Sequence, residues 1–198
     1  MSLIEILDWS GLSDFYYPNM VKKKEIGDGS CFFHSIADSF YTPYKLGKVN
    51  RIEFVKKLRH QLAMLLQAKN ENGKIWYDSL SRGKLKEYSQ GMPDFTLENM
   101  VKLLDSNQPI DNRFNEFVSS VFDKNIFIID NKTKDVYITG KDNDILYKSR
   151  DSIVLIWYNS NHYDLVGVIE DNKLRTLFPY NHDFIGKIKE RLSMKSIK

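Results

Sequence analysis

The sequence predicts an α+β protein, a mixed α/β architecture with helices packed on a mainly antiparallel central sheet. Three observations carry this. Apolar residues recur at helical spacing through the first two thirds of the chain, whereas short β-branched and aromatic runs fill the last third. Glycine and proline punctuate the chain into pieces of element length, with no internal repeat and no low-complexity linker. With 42% hydrophobic and 28% charged residues over 198 positions, one ordinary core is expected, so 1–198 reads as a single domain. Helices first and strands last argue for segregated layers, not alternating βαβ units.

Taken in order, residues 1–25 read as a polar lead-in with a turn at Tyr17-Pro18-Asn19. The turn Gly27-Asp28-Gly29-Ser30 then opens a helix at Cys31, whose Phe32, Phe33, Ile36, Ala37 and Phe40 share a face. Asn50 with Glu53 three residues on forms the start signal of a longer helix, striped by Phe54, Val55, Leu58, Leu62, Leu65 and Leu66. Short helices fit 75–80 and 85–88, among the breakers Gly73, Gly83, Gly91 and Pro93. Thr96 caps a helix through Leu104, and Phe114, Phe117, Val118, Val121 and Phe122 mark another. Strands are expected at 125–130, 136–139, 152–158, 162–170 and 173–178, with a hairpin turn at Glu170-Asp171-Asn172-Lys173. From Asp183 the tail reads as a basic amphipathic helix, 183–198.

Composition excludes several function classes. A net charge of +3 from 29 basic and 26 acidic residues does not make a general nucleic-acid binder. The runs Lys22-Lys23-Lys24 and Lys187, Lys189, Arg191, Lys195 and Lys198 read as solvated faces. A lone cysteine rules out an intrachain disulfide and a zinc site built from several thiolates. No cofactor and no metal is expected. Glu5 and Asp8 stand where a signal peptide needs a basic start, and the longest apolar runs, such as 153–158, are far too short to span a membrane. The expectation is a monomer in a reducing intracellular compartment, the cytoplasm of its own or of a host cell, without membrane contact.

Cys31 is the candidate nucleophile. An ordinary thiol, with a pKa of about 8.5, is mostly protonated at neutral pH. A helix N-terminus favours the thiolate through unpaired N–H groups and partial positive charge. Gly27 and Gly29 permit a loop that turns its own N–H groups toward a developing oxyanion, each such donor contributing on the order of 3 kcal/mol. A lone cysteine in an apolar helix is more often a small buried hydrophobe, so the glycine turn before it and a base elsewhere have to carry the assignment.

Four histidines compete to be that base. His34 lies one turn after Cys31 on the same helix and points away from its open face. His60 falls on the polar side of the long helix, and His182 sits in a loop after Pro179. His162 begins a strand, a rigid platform, and Asp164 shares its face two residues on. That carboxylate is placed to orient the imidazole, the role of a triad's third member.

These residues resemble the OTU (ovarian tumour) family of cysteine proteases. Asp28-Gly29-Ser30-Cys31, followed by Phe32-Phe33-His34-Ser35-Ile36, is similar to that family's cysteine block. The apolar strand leading to Asn161-His162-Tyr163-Asp164 is similar to its histidine block. The resemblance is anchored over 26–40 and 152–168. Where many relatives carry a Trp-Gly-acidic stretch, this chain has Gly91-Met92-Pro93-Asp94-Phe95-Thr96. The resemblance implies a papain-like fold and a deubiquitinase that cleaves isopeptide bonds after the C-terminal glycine of ubiquitin. Ubiquitin or polyubiquitin, or a ubiquitin-like modifier, would be the partner. Carried over, Cys31 is the nucleophile and His162 the base; of the two aspartates that match active-site positions, Asp164 is the preferred third triad member and Asp28 the residue that shapes the oxyanion loop, with Asp28 as the alternative orienting carboxylate. Two other readings share these features: a papain-like thiol hydrolase acting on another peptide tail, and a catalytically idle ubiquitin-binding module.

Overall fold

In the computed structural model, residues 3–11, 15–138, 148–159 and 161–195 are described. Strands β1 (Ile4–Ile6) and β2 (Met20–Lys23) come first. Helices α1 (Cys31–Phe40), α2 (Thr42–Lys45) and α3 (Arg51–Leu66) follow. Short helices α4 (Trp76–Ser79) and α5 (Leu85–Tyr88) lead to α6 (Leu97–Leu104) and α7 (Asn115–Phe122). The chain then turns to strands β3 (Asn125–Asp130), β4 (Val136–Tyr137), β5 (Ser152–Tyr158), β6 (His162–Glu170) and β7 (Lys173–Arg175). Helix α8 (Asp183–Lys195) ends it.

Local signals placed several boundaries. The Asn50 side chain accepts the Glu53 N–H at 3.1 Å and starts α3, and Thr96 does the same for α6 through Asn99 N–H. The β6–β7 hairpin turns on Asp171 and Asn172, both at positive φ, which matches the twist of the two strands.

One sheet holds all seven strands in the order β1-β2-β6-β5-β3-β4, with β7 on the β5 side of β6. Only the β3–β5 pair is parallel; the other described pairs are antiparallel. Residue alternation splits two cores. Ile126, Ile128, Ile153, Leu155, Tyr163 and Leu165 face α1, α3, α6 and α7. Phe127, Ile129, Val154, Ile156, Val166 and Val168 face the other way, onto Phe184, Ile185 and Ile188 of α8 and onto Leu7, Trp9 and Phe15. Each of those α8 side chains is fully buried, worth roughly 1.5–3 kcal/mol apiece. The result is helices, sheet, then α8 with the N-terminal segment.

Three features depart from the sequence reading. The lead-in carries β1 and β2, and β2 is an interior strand whose Met20–Lys23 pairs with Val168–Leu165 of β6. Four residues ending in two lysines carry too little pattern to declare a strand; a partner 148 positions along the chain from Met20 supplies it. Helix α2 was not expected, and its Tyr44 fills the space between α1 and α3. Finally, the strand expected over 173–178 stops at Arg175, and Phe178 makes only a single bridge to Ser152. The strand end expected at Thr139 lies outside the described residues, as do residues 196–198 of the tail helix.

Candidate active site

The N-terminus of α1 lies against the start of β6, where the Phe32 and Tyr163 rings meet edge to face at 5.5 Å. This contact brings Cys31 to the turn that carries His162. Cys31 is only 4% exposed. Its Sγ accepts the Tyr163 N–H at 3.3 Å and donates to the Asn161 carbonyl at 3.7 Å. The thiol is thus gripped by the backbone on either side of His162, and among the described residues it makes no hydrogen bond to the ring. Burial pushes the Cys31 thiol up, outweighing the N–H groups of Tyr163, Phe32 and Cys31 itself, which favour the thiolate. The sequence reading anticipated the helix-terminus donors but not the burial that overrides them. At rest, therefore, the sulfur is a neutral thiol.

His162 follows Asn161, whose φ of 59° reverses the chain at the strand start. Its Nε2 lies 2.8 Å from Asp164 Oδ1. Asp164 is 2% exposed and also accepts the Glu25 N–H at 2.9 Å. A buried carboxylate holding Nε2–H leaves Nδ1 as the ring's lone-pair nitrogen. A Cβ built on Gly27 would stand 3.9 Å from both His162 Nδ1 and Cε1. Gly27 therefore borders the basic edge of the ring, and its φ is not in the left-handed region. The strained position is Gly29, at φ +87, where a Cβ would sit 1.9 Å from the Asn107 carbonyl oxygen.

Asp28 meets neither Cys31 nor His162 through a hydrogen bond. Its Oδ1 accepts the Ser30 N–H at 2.9 Å, closing a tight turn, and its Oδ2 lies 3.1 Å from His34 Nε2. His34 is fully buried and reaches the Tyr44 hydroxyl with Nδ1 at 2.5 Å. Burial lowers its pKa despite the adjacent Asp28, so the ring is a neutral bridge inside the fold. His60 lies exposed beside Asp105 at 2.9 Å. His182 pairs with Glu170 at 2.7 Å and accepts the Phe184 N–H at the start of α8, a structural post on the opposite face.

Arg59 is the residue that sequence reasoning missed. It is buried on the apolar face of α3 with Val55 and Leu62, and its guanidinium donates to Ser30 Oγ at 2.8 Å and to the Gly29 carbonyl at 3.3 Å. The same group donates to the carbonyls of Leu103, Leu104 and Gln108 and stacks over Phe33. It thereby ties the cysteine loop to the end of α6. A charged residue within an apolar stripe was the available signal, since such a residue is buried only when fully paired. Two hollows lie near these residues. One of about 300 Å³ lies beside Asn161 and Tyr163, walled by Trp157, Tyr137 and Asp130. The other, of about 830 Å³, borders Asp28, Ser30, Arg59 and His60. Among the described residues no cluster of histidine, cysteine and carboxylate side chains suits a metal ion, and no helix is long and apolar enough to cross a membrane.

Helices over a sheet, a cysteine opening the central helix and a histidine–aspartate pair opening a sheet strand define the architecture. It is the fold of OTU domains. An ovarian tumour (OTU) domain solved in complex with ubiquitin superposes with a TM-score of 0.54 at 15% identity, over 100% of this chain and 96% of that one. An OTU deubiquitinase from Wolbachia pipientis wMel matches with a TM-score of 0.46 at 16% identity, over 88% of this chain and 98% of that one. No family model and no curated protein matches the sequence.

Proposed function

We propose that this chain is a thiol-dependent deubiquitinase that hydrolyses the isopeptide bond after the C-terminal glycine of ubiquitin. The observation that carries the reading is the convergence of Cys31 with the His162–Asp164 pair, 131 residues apart in sequence, at one helix–strand junction. The OTU domain of matching fold was solved bound to ubiquitin, which supports ubiquitin as the substrate. The hollow of about 300 Å³ lies beside Asn161 and Tyr163, the two residues whose backbone grips the sulfur.

In this mechanism Sγ leaves its backbone grip and swings to His162 Nδ1, which takes the thiol proton as general base. Asp164 holds the ring through Nε2–H and supports the imidazolium. The thiolate attacks the glycine carbonyl, and backbone N–H groups at the start of α1 face the oxyanion, with the loop held in shape by Asp28 and Arg59. The imidazolium returns its proton to the departing lysine amine as the C–N bond breaks, leaving a thioester. Water, deprotonated by His162, then attacks the thioester, releasing the ubiquitin carboxylate and restoring the thiol. Residues 1–198 act as one domain and one copy, and a neutral buried thiol suits a reducing compartment.

The test is reaction with ubiquitin carrying a C-terminal electrophile, followed by mass mapping of the adduct. One adduct on Cys31 is expected, with Cys31→Ala inert toward the probe and in hydrolysis yet still binding ubiquitin. Binding without any adduct in the unmodified chain would select the idle module instead. Adducts formed with a ubiquitin-like probe but not with ubiquitin would move the substrate to that modifier.

A further inference from the structure

Behind the His162–Asp164 pair lies a second pair of carboxyl groups that the mechanism does not use. Glu25, in the segment between β2 and the cysteine loop, gives its backbone N–H to Asp164 Oδ1 at 2.9 Å. Its side chain carries a buried Oε1 and interacts with Asp38 on α1, two turns after Cys31 and 1% exposed. Lys23 makes an ion pair with Asp38 Oδ2. Even so, Glu25 Oε1 and Asp38 Oδ1 are buried without a hydrogen-bond donor among the described residues. Buried acceptors in native proteins are satisfied, so adjacent orphaned oxygens call for a donor, and one proton between the two carboxyl groups supplies it.

We propose that Glu25 is a positioning residue for the histidine–aspartate pair: its carboxyl, bonded to Asp38, clamps the loop that hands the Glu25 N–H to Asp164 onto the helix that carries Cys31. The clamp's consequence for catalysis rests on the function proposed above; its geometry does not. Because both partners are carboxyl groups, the clamp works only while one of them is protonated. Burial, the neighbouring Asp38 charge and the bond to Asp38 push Glu25 up to about 9, against the opposing pull of Lys23 and Arg51. The other titratable groups beside the pair are Tyr44 and Lys45 from α2, with His34 of α1 against the Tyr44 hydroxyl and Asp164 of β6 on the Glu25 backbone N–H. Ionised, the two carboxylates repel, and the ion pair from Lys23 to Asp38 is left as the tie between this segment and α1, two residues away from the Glu25 N–H.

The experiment follows the hydrogen-exchange protection of the residue 25 amide, normalised for intrinsic exchange, from pH 7 to pH 10. The unmodified chain, Glu25→Gln and Glu25→Ala are compared. Protection in the unmodified chain should fall roughly tenfold or more across this window, and in Glu25→Gln, which hydrogen-bonds without ionising, it should stay level. Glu25→Ala should start low and show no such fall. NMR of the His162 ring protons should track the same transition, a readout that loss of packing alone would not move. An unchanged pH response in Glu25→Gln, or wild-type protection in Glu25→Ala, overturns the clamp. Turnover of a ubiquitin C-terminal reporter is measured in parallel. If the chain turns over no ubiquitin substrate while the exchange pattern holds, the functional reading fails and the clamp stands.

Discussion

His162 and His182 look alike on paper, each a histidine after an asparagine and near an aspartate, yet they sit in different chemistry. The first offers Nδ1 across Gly27 and binds Asp164 through Nε2. The second spends both nitrogens, on Glu170 and on the Phe184 N–H. His162→Ala should therefore abolish hydrolysis with little change in stability. His182→Ala should keep most activity but lower stability by about 0.5–2 kcal/mol through the lost cap. Paired progress curves and denaturant melts check both, and the reverse pattern would move the base to the other face. Asp164→Asn should fold and slow turnover, by up to ~10⁴ if the wrong ring tautomer results, as in one protease system. The order of these residues was readable beforehand from strand alternation alone. Arg59 was signalled only by its place in the apolar stripe, because nothing in α3 says which acceptors await its donors.

Among the elements, the cysteine loop depends on backbone geometry as well as on the bonds from Asp28 and Arg59. Gly29 combines a left-handed φ with backbone approach to Asn107 at a distance no Cβ tolerates. Gly47 has a similar φ of +65 with open space around it. Gly47→Ala should cost only the left-handed strain of about 1–2 kcal/mol and leave Cys31 labelling untouched. Gly29→Ala should cost more, because the loop or residues 105–108 must shift, and it should also slow labelling of Cys31 by the ubiquitin probe. Equal losses in stability and labelling for the two variants would contradict this account. The glycines were legible as a flexible turn, but the φ requirement falls on Gly29 alone, with Gly27 serving as clearance for the imidazole.

For the molecule as a whole, Glu25 links stability to pH. A carboxyl whose folded pKa is raised from 4.5 to about 9 stays protonated in the native state while the unfolded chain has released its proton. Between those values the native state binds more protons at Glu25, so this carboxyl's contribution to stability is fully present below about pH 4.5 and is lost as pH rises toward 9. Glu25→Gln removes that slope. Its melting temperature should gain on the unmodified chain steadily from pH 5 to pH 9 and then hold a constant lead. Thermal melts in matched buffers decide it, and a lead that does not change with pH would place the proton elsewhere.

The amino-acid sequence by itself determined the layers, the two caps at Asn50 and Thr96, the β6–β7 hairpin and the approach of Cys31 to His162. Those features rest on local periodicity and side-chain capping, each written within a few residues, and on two compact motifs that lie 131 residues apart. Tertiary structure alone decided that Met20–Lys23 is an interior strand, that Arg59 and Tyr44 are buried, and that Glu25 and Asp38 face each other across the loop. It also decided that the resting thiol is neutral, because desolvation by the sheet outweighs the helix terminus. Each of these depends on a partner far away along the chain, and neither the cost of burying a charge nor the pairing that offsets it can be read from the residues on either side.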